Sequence, residues 1–316
     1  MALLARLESG SADGIGGGVA RLTSAAGRRL IAGIPIVWLL LLFLIPFIIV
    51  FRISFSEVRL AIPPYTPLLT WRHGSPVLEP HWSAYQFLFT DPLYVSSYLY
   101  SLKVAAVSTL CCLAIGYPMA YAIARAGSAS RPVLLMLIVL PFWTSFLLRV
   151  YAWIGLLKNN GVINNVLLWL GVIHHPLALL QTDFAVYIGI VYSYLPFMIL
   201  PLYANLEKHD TALLEAAADL GARPLRAFAR ITVPQSFPGI VAGSLLVFIP
   251  AVGEYVIPTL LGRTDQLMIG RVLSDEFFEN RDWPVASAVA ILILLLLVAP
   301  ILLFQRFQRR ELEGAR

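Results

Sequence analysis

Glu254 is the one acid that stands well inside an apolar run of this chain, the stretch from Phe237 to Pro258. A carboxylate in hydrocarbon is costly to keep, so its presence points to a use, and the use open to it is to hold a cation. Three roles fit the residue: it can line a pathway, pair with Arg149, which also falls in or near a span, or lie exposed at the membrane surface. Gly253 and Pro258, with Pro250 one turn earlier, predict a locally broken helix that lines a cavity. A second group of residues points to mechanics rather than chemistry. Glu215 to Pro234, EAAADLGARPLRAFARITVP, is a charged, helix-capable loop between two long apolar spans. Asp210 or Thr211 can cap a short helix in which Leu213, Ala217 and Leu220 share one face, and Gly221 is expected to end it in a close-packed, left-handed position. Pro224 suits the first turn of another short helix, with Leu225, Phe228 and Ala229 along an apolar edge. The pair reads as a docking knob. The alternative is a loop whose apolar edge rests on the protein's own membrane domain or among lipid headgroups.

Other chemistry is poorly supported. No G-x-x-x-x-G-K-[ST] loop is present to cradle phosphates, so any ATP chemistry belongs to another chain. Cys111 and Cys112 are adjacent inside an apolar span and read as small packing residues, not a disulfide or metal site. His73, His81, His174, His175 and His209 fall in loops without partners at ligand spacing, so neither a metal nor a cofactor is expected. An integral membrane enzyme would need paired carboxylates or a histidine cluster on its spans, and the sequence offers neither. A channel or receptor working without an ATPase is the remaining class.

Composition sets the elements that must position these residues. With 59% hydrophobic and 13% charged residues among 316, the chain has lipid as the solvent for most of its length. Six helical spans are expected, at about 30–51, 98–124, 132–157, 184–206, 237–258 and 284–304, in an all-α polytopic membrane protein. Residues 1–29 are expected to be a mobile tail, 207–236 a loop on the same side, and 307–316 a basic C-terminus. That side collects the larger part of the Lys and Arg, including Arg28, Arg29, Arg125, Arg131, Arg226 and Arg230, and is therefore expected to be cytoplasmic. The net charge of +5 follows from this topology and gives no support for nucleic-acid binding. Arg28-Arg29 before a long apolar run reads as the start of an uncleaved span, not a secretory signal. The longest outward segment, about Ser54 to Ser97, is rich in proline and aromatics and is expected to pack on the outer mouth, with anchoring at the lipid interface as the alternative.

The spacing Glu215-Ala216-Ala217, three residues, Gly221, nine residues, Ile231, one residue, Val233-Pro234 resembles the EAA motif of ABC importer membrane subunits, with Val in place of the usual Leu. Leu140 to Gly171, Phe248 to Gly262 and Met268 to Ala290 resemble the permeases of bacterial polyamine importers, especially the putrescine type, and the likeness covers nearly the whole chain from Leu30 onward. The resemblance implies the fold of a type I (MetI-like) importer permease in the bacterial inner membrane. It implies as partners a second homologous permease, two ATP-binding subunits and a periplasmic polyamine-binding protein. Glu215, Ala216, Ala217, Gly221, Leu213, Leu220, Arg223 and Phe228 then become candidates for coupling to the ATPase. A polyamine asks for carboxylates and aromatic faces, so Glu254 with Trp143, Tyr151, Tyr192 and Tyr194 are the candidates for its pathway; packing or an interface belt is the other reading of the aromatics. Asp275, Glu276, Glu279 and Asp282 could gather cations at the mouth, or form a solvated face balanced by Arg271 and Arg281. An importer for another small solute, amino-acid-like or metal-chelate, is the alternative.

Overall fold

The computed structural model describes residues 25–72 and 75–314. The tail expected over 1–29 lies almost entirely outside the described residues. Among the described residues the regular structure is helical apart from one two-stranded hairpin. Helix α1 runs from Ala25–Leu39 through a π-helical turn at Leu40–Leu44 into Ile45–Ile53. The hairpin pairs β1 (Leu69–Arg72) with β2 (Ser75–Leu78), Leu69 opposite Leu78, and α2 (Ser83–Thr90) follows. The segment expected to face outward is built of small elements, tied together by the Phe55, Trp82 and Tyr85 rings and a 2.9 Å bond from the Tyr85 hydroxyl to Ser54.

Long α3 (Pro92–Arg125) is capped by Asp91, which accepts the Leu93 N–H at 2.8 Å. It begins several residues before the expected start of the second span, because this cap and Pro92 at its first position supply a start signal that hydropathy does not register. Next come α4 (Arg131–Val139), extended by a 3-10 turn at Leu140–Trp143, then α5 (Phe146–Leu157) and α6 (Val162–Trp169). Here the expected single span over 132–157 gives way to two legs bent by 88°. Pro141 lacks an N–H to continue the ladder, and Thr144 takes an extended conformation. Helix α7 (Asp183–Leu206) follows as one continuous helix with Pro196 and Pro201 inside it. Among the described residues, four helices, the long parts of α1, α3, α7 and α13, are long and apolar enough to cross a membrane, and the count reaches six if each of two bent pairs is one span.

The elbow contains α8 (Ala212–Asp219) and α9 (Pro224–Ala227), which continues as a π-helical turn to Thr232 and a last turn at Val233–Gln235. A 63° bend leads into α10 (Phe237–Val252). Within the expected span over 237–258, α10 stops at Val252 and the short α11 (Val256–Leu261) resumes after a break, the local break that Gly253 and its flanking prolines predict. Helix α12 (Ile269–Ser274), with a π-helical turn at Asp275–Glu279, precedes α13 (Trp283–Gly314).

The densest packing joins α3, α7 and α10. Lipid tails are as apolar as leucine, so these helices cohere through close fit and not through escape from water. Glycine makes the fit possible at Gly243, where a Cβ would lie 2.8 Å from Met198 Sδ and 3.0 Å from its carbonyl oxygen. On the outside, α1 shows Ile31, Trp38 and Phe43 at 60–70% exposure, as suits a helix facing hydrocarbon.

Gly243→Val should destabilise the chain by about 1–3 kcal/mol through overpacking, whereas Gly155→Val, with nothing within 4 Å of its Cβ site, should cost less than half as much. Thermal unfolding midpoints of the purified chain in detergent measure both; equal midpoints would refute the close contact of α7 with α10.

Candidate functional site

The elbow is built from its cap outward. Asp210 Oδ1 accepts the Ala212 N–H at 2.9 Å and starts α8, while the alternative cap, the Thr211 side chain, makes no such bond. At the far end Gly221 has φ +74, with its N–H on Ala218 O at 2.8 Å and the Ala222 N–H on Ala217 O at 2.9 Å. These two bonds close the helix in a Schellman motif, which needs a left-handed residue at this position. The glycine is not close-packed as expected: nothing lies within 4 Å of where a Cβ would stand, so its requirement is conformational alone.

Two faces result. Leu214, Ala218 and Ala222 turn inward over a cleft of about 210 Å³ that Tyr121, Phe228 and Thr232 also line. Leu213, Leu220 and Leu225 turn outward at 46%, 88% and 79% exposure, and Glu215, Ala216 and Arg223 are exposed beside them. Phe228 departs from the expected outward edge. Its ring packs edge-on against Tyr117 and Tyr121 of α3, at 5.8 and 5.4 Å between centroids, and so fastens the elbow to the membrane domain. Tyr117 also bonds Ser236 at 2.8 Å, and Arg125 lies over the Tyr121 ring at 5.5 Å. Beside the elbow, Arg131 pairs with Glu207 at 2.7 Å and donates to the Ala124 carbonyl at 3.0 Å. The sequence signal for this anchor was two tyrosines four apart at the end of a charge-free run, facing one way on a helix.

The second site lies at the break after α10. Glu254 is 7% exposed. Its Oε1 accepts the backbone N–H groups of Val256 and Ile257 at 3.1 and 3.3 Å and so caps α11, and its Oε2 accepts the Tyr194 hydroxyl. Gly270 packs under the break, where a Cβ would meet the Gly253 carbonyl oxygen at 2.4 Å. The ion pair with Arg149 is not formed. Instead the Arg149 guanidinium lies over the Phe142 and Phe146 rings at 5.1 and 5.7 Å. Phe142 meets Phe197 at 5.3 Å, and Phe197 meets Tyr194 at 6.1 Å. A string of rings therefore separates the cation from the carboxylate.

Residues 112–313, a stretch that contains both sites, match the family described as binding-protein-dependent transport system inner membrane component. The chain belongs to this family. It is 45% identical over 219 residues to the spermidine/putrescine transport system permease protein PotB of Escherichia coli K12, covering 69% of this chain and 80% of that protein. Against PotB of Haemophilus influenzae it is 39% identical over 284 residues, 88% of this chain and 93% of that protein. Its fold is similar to a crystal structure of a bacterial ABC transporter involved in import of the acidic polysaccharide alginate, with TM-score 0.69 and 18% identity over 92% of this chain and 99% of that one.

The remaining candidates of this permease are dispersed. Only Tyr194 touches Glu254. Tyr192 packs against Trp153 at 5.6 Å and lines an apolar groove with it, and Trp143 and Tyr151 are 77% and 55% exposed on the bent segment. Of the four acids before α13, Glu276 is buried and accepts from Tyr94 at 2.7 Å and Asn280 at 3.0 Å, and Asp275 pairs with Arg271 at 3.8 Å. Asp282 caps α13 through Val285 at 3.0 Å, and burial holds its carboxyl above the usual range. Three of these acids thus serve the fold.

Gly221→Ala should cost about 1–2 kcal/mol at the end of α8, since an alanine pays the full left-handed penalty, and Gly221→Asn should cost less than half of that. Amide exchange at Ala217 to Ala222 reads the difference; identical protection in both variants would refute the conformational role.

Proposed function

We propose that the chain is the membrane-spanning subunit of an ATP-driven importer that moves polyamines, putrescine foremost, from periplasm to cytoplasm by alternating access. The observation that carries the substrate reading is its 39–45% identity to spermidine/putrescine permeases. A buried carboxylate beside a string of aromatic rings is chemistry suited to an alkyl ammonium. In this reading a second homologous permease, two ATP-binding subunits and a periplasmic polyamine-binding protein complete the complex, in contact with lipid and without nucleic acid. Both termini and the elbow face the cytoplasm. Leu213, Leu220, Glu215, Ala216, Ala217 and Arg223 meet the ATPase, Gly221 fixes the angle, and Phe228 passes the stroke to α3. ATP and the loaded binding protein favour the same outward-open state, because both bias one two-state element. Within that state Glu254 and Tyr194 receive the ammonium, and Trp143, Tyr151 and Tyr192 flank the route.

Reconstitution of the complete complex with labelled putrescine, challenged by spermidine, an amino acid and a metal chelate, tests the substrate. Amines should compete and the others should not; competition by a non-amine alone would replace polyamine with that class. In the same system Glu254→Gln should lower uptake about tenfold, the scale of a lost charged hydrogen bond, with assembly unchanged. Gly221→Asp should remain in the membrane while ATP hydrolysis stops responding to loaded binding protein, and a normal response would remove the elbow from the mechanism.

A further inference from the structure

Among the described residues Arg149 has no anion of its own. Its Nε and Nη1 are buried without a hydrogen-bond partner among the described residues, and Glu254, the acid at the nearby break, has its donors elsewhere. The residue is partly exposed, and its neighbours on the same segment, Trp143, Leu148 and Tyr151, are 77%, 67% and 55% exposed. In the membrane reading this apolar surface with one unmatched cation falls within the hydrocarbon core, if Arg131 marks one headgroup level. The leg from Arg131 to Trp143 is about 20 Å long at about 1.5 Å per residue, two thirds of a hydrocarbon core of about 30 Å. The 88° bend then sets α5 nearly at right angles to that leg, so that a first leg along the membrane normal leaves Arg149 with little further climb toward the far headgroups. Its guanidinium also folds back over Phe142 and Phe146, residues that precede it. Both features turn it away from lipid phosphate.

We propose that Arg149, framed by Trp143, Leu148 and Tyr151, docks a carboxylate carried within a span of the second permease subunit. The inference rests on the reading of the chain as half of a permease pair. One buried charge matched across the seam would fix the register of two otherwise apolar surfaces, and neither subunit would then be stable in lipid with its charge unmatched.

The test uses the tagged chain co-expressed with the whole complex. Arg149→Leu and Arg149→Gln should keep the chain in the membrane but reduce the second permease recovered per tagged chain at least tenfold, about 1.4 kcal/mol, and Arg149→Lys should restore part of it. Suppressors selected for restored uptake in Arg149→Leu should neutralise an acid in a span of the second permease. Full recovery of the second permease with Arg149→Leu overturns the proposal, as do suppressors confined to this chain. Loss of a bound anionic lipid in native mass spectra, with the permease pair intact, also overturns it and assigns Arg149 to phosphate. If the wild-type chain recovers no second permease, the functional reading itself fails; if the wild type recovers it and Arg149→Leu is indifferent, only this inference falls.

Discussion

A helix that breaks in lipid frees N–H and C=O groups that no solvent will take up, and each break must therefore be satisfied from within the protein. This constraint organises the membrane domain. At the end of α10 the break exposes the first N–H groups of α11, and Glu254 supplies the acceptor for two of them while Tyr194 occupies the other oxygen. At the bend between α4 and α5 the work is done locally: Thr144 N–H and Oγ1 both donate to the Pro141 carbonyl, and Ser145 O accepts the Arg149 N–H at 3.2 Å. Between the two breaks run the packed rings of Phe142, Phe197 and Tyr194, so the irregular parts of two spans form one contiguous unit.

Helix α3 reaches from this unit to the elbow. Near one end its Tyr117 and Tyr121 clamp Phe228, and toward the other its Ser101 hydroxyl accepts the Ile269 N–H at 2.8 Å, beside the Gly270 that packs under the Glu254 break. Residues 101 and 121 are about 30 Å apart along a helix at about 1.5 Å per residue. One continuous helix, with Pro118 inside it between the two tyrosines, joins both features. Displacement of Phe228 must move α3 or break two aromatic contacts, and the close packing of Gly116 against Met198 of α7 leaves α3 little room to deform by itself.

Much of this was legible in the residues. Long apolar runs announce α1, α3, α7 and α13 because a hydrocarbon solvent imposes length and polarity together. The end of α8 was readable from Gly221, and its exposed apolar face from Leu213 and Leu220 at helical spacing. Hydropathy could not locate the bend at Pro141 to Ser145, since both legs are equally apolar and the run seems continuous to any average. Nor could it say that Phe228 faces inward while Leu225 faces out, because both fit an apolar edge. Arg149 and Glu254 look like partners in a sequence where charges in spans are few. Their separation depends on three rings, Phe142, Phe197 and Tyr194, whose meeting is a matter of tertiary packing.

The cap that Glu254 forms and the capture of a cation are compatible in one carboxylate. An ionised carboxylate offers about four lone-pair sites, and the Val256, Ile257 and Tyr194 donors take three of them. The free capacity lies on Oε2, the oxygen that faces the rings rather than the helix end. An ammonium arriving there would complete the carboxylate's coordination without releasing α11, and its methylenes would lie on the aromatic string that leads toward Phe142. The oxygen with spare capacity and the oxygen that caps α11 are thus different atoms of one side chain.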